Sequence, residues 1–304
     1  MSVLLASVSD QGFLSSSPIR TALAIGAAVA IVSGALGVFT VIRGQSFAGE
    51  ALGDIGTTGG SAAYLLGVGP LWGFVAVSML AAAAMELLGV QRARGRDLAT
   101  GIVLGGGLGL AALFLYLDST YHNAAGASVT ILFGAIFSIS SSTVPVVVAL
   151  GLAVLAILVT IHRPLLLSSV APEIASARGI PIRAVGAAYL LALALSVSLC
   201  AITIGAILST ALLIGPAAAA LRLTTRPLRA IACAAGLGIA AVWGGVWLAY
   251  ESYYWPPDQQ GWPVSFFVVV LVFVIYLASG LPRIWSARAE RRAARSVALS
   301  GGEA

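Results

Sequence analysis

Nine apolar runs follow one another along this chain with little polar sequence between them: Thr21–Ile42, Phe47–Gly67, Leu71–Val90, Leu98–Leu117, Thr143–His162, Val185–Ile204, Ala206–Leu221, Leu228–Tyr250 and Val264–Leu281. A helix needs about 20 such residues to cross the hydrocarbon of a bilayer. Inside hydrocarbon every backbone N–H and C=O must find a partner within the protein, so spanning segments are helices or closed barrels. Runs of this length make the chain an all-α polytopic membrane helix bundle with about eight or nine transmembrane helices. The second and seventh runs are short or rich in small residues, and one of them is expected to be broken or re-entrant. The chain is 60% hydrophobic and 9% charged, with a mean hydropathy of +1.03, which leaves no stretch for a soluble domain of useful size.

All 16 basic residues are arginine. The absence of lysine removes a phosphate-binding Walker lysine, a Schiff-base lysine and a Ser-Lys dyad. The arginines instead orient the chain, because cytoplasmic loops collect them. With the carboxyl terminus inside, Arg43, Arg92, Arg94, Arg96, Arg163, Arg178, Arg183, Arg222, Arg226, Arg229, Arg283, Arg288, Arg291, Arg292 and Arg295 all fall on the cytoplasmic face, and Arg20 alone stays outside. The net charge of +5 is thereby accounted for without a nucleic-acid partner. Residues 1–19 read as an extracytoplasmic or interfacial lead-in, 20–282 as the transmembrane domain, and 283–304 as a basic cytoplasmic tail facing anionic headgroups. The outer loops, Asp118–Ser142 and Glu251–Pro263, carry Asp118, Glu251 and Asp258 but no arginine.

The costliest residues lie in SFAGEALGDIGTTGGSAAYLLG, Ser46–Gly67. Glu50 and Asp54 are four apart and share one helix face. A charge near the bilayer centre costs about 2.5–3.5 kcal/mol on insertion scales and persists mainly where it lines a cavity, pairs with another group or carries an ion. Two readings stand: a cation site on a transport path, or a helix that starts late and leaves both acids at headgroup level beside Arg43. Carboxylates without imidazole or thiol suit manganese or iron better than zinc, and further ligands would come from elsewhere. Glu86 lies next to an arginine cluster and reads as interfacial.

Other candidates resolve into packing or interface. GGGLGL, Gly105–Leu110, sits mid-span with no following lysine and reads as close helix packing. GAILSTALLIGPAAAA, Gly205–Ala220, reads the same way, with a bend at Pro216. Cys200 and Cys233 read as small packing residues, and His162 as interfacial. His122, four residues after Asp118 on the outer surface, reads as a loop coincidence before a contact for a delivered metal. No nucleophile set is identifiable, so the chain is not read as an enzyme. One cytoplasmic stretch is more informative: SSVAPEIASARGIPIRAVG, Ser168–Gly186, follows an expected break at Arg163–Pro164. It predicts a short helix over Pro172–Arg178 stopped by Gly179 and Pro181, an exposed element suited to docking a partner.

Several stretches together resemble one family, the permease subunits of bacterial ATP-driven importers of the zinc and manganese branch. SFAGEALGDIGTTGG resembles its segment after the first span; RARGRDLATGIVLGGGLGLAALFL, ILFGAIFSISSS, EIASARGIPIRAVG, TIGAILSTALLIGPAAAALRL and DQQG resemble further segments, so the likeness runs from about Arg20 to Leu281. The resemblance implies a multi-pass permease of the bacterial plasma membrane that forms a homodimeric pore. A cytoplasmic ABC ATPase dimer would dock below and an extracellular metal-binding protein above. ATP would be bound by the partner, with no cofactor on this chain and a divalent metal as cargo. Glu50 and Asp54 would be the metal ligands, and Glu173, Ala175, Arg178 and Gly179 the ATPase-coupling contact. Asp54 stands where the family has a histidine, Thr58 where it has a proline, and Ala171 where it has an acidic residue, which leaves the metal open between manganese, zinc and iron. The alternative is a secondary transporter whose carboxylates carry protons or sodium, built from inverted-repeat halves.

Overall fold

Helix succeeds helix along the computed structural model, which describes residues 16–87, 96–121, 125–134, 136–255 and 261–280. The helices are α1 Ser17–Ile42, α2 Ser46–Leu65, α3 Pro70–Leu87, α4 Arg96–Tyr121, α5 Ala125–Phe133, α6 Val144–Val170, α7 Pro172–Ala177, α8 Ile182–Ile204, α9 Ala206–Leu223 and α10 Pro227–Ser252, followed by α11 Val264–Gly280. Six of them, α1, α3, α6, α8, α9 and α10, are long and apolar enough to cross a membrane among the described residues. Residues 1–15 of the lead-in, Arg92, Arg94, His122, Asp258 and the basic tail lie outside the described residues.

α1 and α8 form the centre and are the most deeply buried spans. α1 packs against α10, α9, α6 and α8, while α2 packs against α3, α4, α9 and α8. α2 and α9 are each continuous, so the expected break falls in neither. The glycines of α2 do not unwind it because they bring neighbours close. A Cβ on Gly59 would fall 2.0 Å from the Gly73 carbonyl oxygen of α3, and one on Gly73 equally close to the Gly59 oxygen. Pro216 is accommodated inside α9.

Three expectations are corrected. The break at Pro164 is absent: α6 runs through it to Val170, held by burial of Leu165 and Ser168. Asp118 is not a loop acid; it lies in the last turns of α4 with 1% of its surface exposed. The outer stretch that follows folds into α5, whose apolar AGASVTILF packs on α2, α4 and α9. In the GGGLGL run only Gly107 meets another helix, at Ile55, and Gly105, Gly106 and Gly109 face open space.

Candidate functional site

α2 starts at Ser46, and at about 1.5 Å per residue its 20 residues are about 30 Å long, the thickness of the hydrocarbon layer. One face is glycine. A Cβ on Gly49 would touch Leu213 of α9, one on Gly53 would touch Ser209 of α9 and Val197 of α8, and one on Gly56 or Gly60 would strike Phe74 of α3. Residue numbers rise along α2 as they fall along α9, so these two helices are antiparallel, whereas α8 runs with α2.

Glu50 and Asp54 lie off this packed face. Glu50 is exposed and Asp54 half-buried, with Phe47 exposed beside them. Four residues apart on one helix, the two side chains lie about one turn from each other on the same face. The helical rise places Glu50 about 6 Å and Asp54 about 12 Å from the start of α2, so a late helix start accounts for Glu50 but leaves Asp54 at depth. Like charges one turn apart on an open face are relieved by a cation. Among the described residues no group of three or more His, Cys, Asp or Glu side chains gathers into a metal site, so Glu50 and Asp54 stand as a pair.

Hydroxyls extend the polar character of α2, and of these the sequence alone marks only Thr58, as a departure from the family's proline. Thr58 donates to the Gly107 carbonyl of α4 at 2.6 Å, a bond that proline at this position could not make. Ser61 donates to the Thr57 carbonyl at 2.8 Å, and Ser78 of α3 donates to the Leu52 carbonyl at 3.0 Å. A cavity of about 470 Å³ opens at the far end of α2, with Tyr64, Thr130, Ser140 and Ser142 among its lining. Among the described residues its lining offers hydroxyls but no carboxylate, thiol or imidazole.

The second candidate element is α7. Pro172 begins it, Glu173 lies in its first turn, and Gly179 follows it at φ +73°. The Gly179 amide bonds to the Ser176 carbonyl and the Ile180 amide to the Ala175 carbonyl, which closes the end. Glu173, Arg178 and Gly179 are exposed. Ala175 is 0% exposed and packs the helix against the bundle, while Ile174, 51% exposed, is the large apolar side chain the helix presents.

Arg43 links the two elements. Its Nε donates to Gln45 at 3.1 Å, in the turn into α2. Its Nη1 donates to Ser168 and Ser169 at 3.4 and 3.1 Å, at the end of α6 just before α7. Its guanidinium also lies 5.1 Å from the ring centre of Tyr189, and Tyr189 donates to Thr40 at 2.9 Å. The sequence does not show this joint, because Ser168 and Ser169 lie 125 and 126 residues away from Arg43. Cys200 and Cys233 are free thiols.

Comparison with known proteins adds to this geometry. Residues 15–280 match the model of the ABC 3 transport family. The manganese transport system membrane protein MntC of Halalkalibacterium halodurans is 32% identical over 239 residues, covering 78% of this chain and 80% of that protein. The high-affinity zinc uptake system membrane protein ZnuB of Haemophilus influenzae is 28% identical over 257 residues, covering 84% of this chain and 95% of that one. The solved structure of PsaBC from Streptococcus pneumoniae in complex with Fab has a chain of the same fold, with a TM-score of 0.76 at 23% identity, covering 88% of this chain and 93% of the other.

Proposed function

The chain belongs to the ABC 3 transport family, and from that premise we propose that it is the membrane permease of an ATP-driven uptake system for a divalent metal, manganese before zinc or iron. Relatives named for manganese and zinc transport support the cargo class. The observation that carries the reading is the pair Glu50 and Asp54 on the one open face of an otherwise packed helix. Membership in an ABC family sets aside the proton- or sodium-coupled alternative, since energy then comes from a separate ATPase.

A second copy of the chain, meeting the first along the open face of α2, brings four carboxylates together, an oxygen set suited to manganese. The arginine-rich end, where α1, α6 and α9 finish and α2, α8 and α10 begin, faces the cytoplasm. α2, α4 and α11 complete the crossings with the six apolar spans, nine in all on this reading, and neither α2 nor α9 is re-entrant. α7 is the coupling helix: Glu173, Ile174, Arg178 and Gly179 meet the ATPase dimer while Ala175 holds the helix to the bundle. Closure of the ATPase moves α7, the end of α6 carries that movement to Arg43, and Arg43 transmits it to the turn before α2. The two copies of α2 then open the carboxylates to alternate sides. An extracellular metal-binding protein delivers the cargo at the opposite end.

Elemental analysis of cells with and without the gene, under separate manganese, zinc and iron limitation, tests the reading. Loss of manganese accumulation is expected on deletion. Glu50→Gln with Asp54→Asn should reproduce that loss with normal amounts of protein in the membrane; wild-type accumulation in the double variant would remove the pair from the path.

A further inference from the structure

α6 and α10 both pack on α1 but barely touch each other, and the furrow between them is a cavity of about 510 Å³. Phe39 of α1 is its floor, Leu158 of α6 and Ile231 of α10 are its walls, and the exposed Val159 and Leu228 mark its open side. Its two polar lining residues, His162 and Arg226, lie at one end. The His162 Nδ1 is bonded to the Val159 carbonyl at 2.7 Å. Arg226 precedes α10; its backbone amide bonds to the Thr224 hydroxyl, and its exposed guanidinium has no ion pair or hydrogen bond among the described residues. Arg163 and Arg229, close by in sequence, are exposed as well.

We propose that this furrow binds one anionic phospholipid, with an acyl chain along Phe39, Leu158 and Ile231 and the phosphate at Arg226. An apolar trough between spanning helices, closed at headgroup depth by a cation with no partner among the described residues, matches the two halves of such a lipid. A zwitterionic lipid brings its own cation beside the phosphate and an apolar helix brings no anion, so either fills the trough but leaves the charge of Arg226 uncompensated. A second copy of the chain is the weaker occupant, on geometric grounds. Gly37 of α1 faces Leu213 of α9, and the same Leu213 packs on Gly49 of α2. Phe39, two residues along from Gly37, is on the opposite side of α1, so the furrow faces away from the carboxylate helix. Only the choice of leaflet, the cytoplasmic one, rests on the orientation proposed above.

Native mass spectrometry of the purified full-length protein in detergent, titrated with phosphatidylglycerol or with phosphatidylcholine of the same acyl chains, tests this without any transport measurement, so its failure leaves the import reading untouched. One phosphatidylglycerol retained per chain is expected, about fivefold more tightly than phosphatidylcholine, as one arginine beside a net anionic headgroup supplies. Arg226→Gln should abolish the preference, and Val159→Trp, a change at an exposed edge, should weaken retention of both lipids. Equal retention of the two lipids by the wild type would overturn the proposal, as would a preference that survives Arg226→Gln. Val159→Trp that alters the monomer-to-dimer ratio while sparing lipid retention would give the furrow to a second copy instead.

Discussion

The Nη1 of Arg43 donates to the Ser169 hydroxyl at 3.1 Å, which ties the turn before the carboxylate helix to the residues that lead into α7. The guanidinium fork serves this joint because it holds Gln45, Ser168 and Ser169 at once while stacking over Tyr189. Hydrogen bonds to a charged group are worth about 1.5–3 kcal/mol each, and about 1.4 kcal/mol is a factor of ten. Arg43→Gln is therefore expected to leave ATP hydrolysis in the assembled transporter running while metal moved per ATP falls about tenfold. Paired ATPase and metal-uptake assays in proteoliposomes measure this ratio; a wild-type ratio would show that Arg43 is not part of the linkage.

Local chemistry made much of the bundle legible. Hydrocarbon thickness sets the length of α1, α8 and α10, Pro172 and Gly179 bracket α7, and the cost of burying charge picks out Glu50 and Asp54. The illegible parts depend on distant contacts. Pro164 is a helix breaker by its own chemistry, yet α6 passes it because Leu165 and Ser168 are buried beyond it. Ala175 looks like any small residue of a docking helix until the bundle covers it. Thr58 reads as a lost proline until Gly107 supplies its acceptor.

Asp54 is the position at which this chain departs from the histidine its resemblance leads one to expect, and imidazole favours zinc whereas carboxylate favours manganese. Asp54→His is expected to raise zinc uptake relative to manganese by several-fold, with little change in protein level. Competitive uptake of the two metals from an equimolar mixture reads the ratio directly. An unchanged ratio would mean that position 54 does not contact the cargo.

The reversal from α8 to α9 is made by Gly205 alone, at φ +92° and ψ +156°, a region essentially reserved for glycine. A Cβ there would lie 2.2 Å from the Leu132 carbonyl oxygen and 2.6 Å from the Gly134 amide nitrogen. Such strain alone costs about 1–3 kcal/mol, so Gly205→Ala is expected to lower the midpoint of thermal unfolding in detergent by about 5–10 °C. Gly106, whose Cβ would meet nothing within 4 Å, is the control: Gly106→Ala should leave the midpoint unchanged or slightly raised, because alanine is favoured over glycine in a helix interior. Equal midpoints for the two variants would show that the α8–α9 reversal does not need this backbone conformation.

Neighbouring residues of α7 should fail in different ways. Ile174 is half-exposed at the middle of the helix and Ala175 is fully covered, so a charge at 174 spoils a contact surface, whereas bulk at 175 pushes the helix off its bed. Ile174→Asp is expected to abolish co-purification of the ATPase while the permease keeps its wild-type unfolding midpoint. Ala175→Leu, an overpacking change costing about 1–3 kcal/mol, should lower the midpoint as well as the co-purification. Affinity purification from native membranes followed by a thermal scan of each variant separates the two outcomes. Normal ATPase recovery with Ile174→Asp would place the docking surface elsewhere on the arginine-rich end.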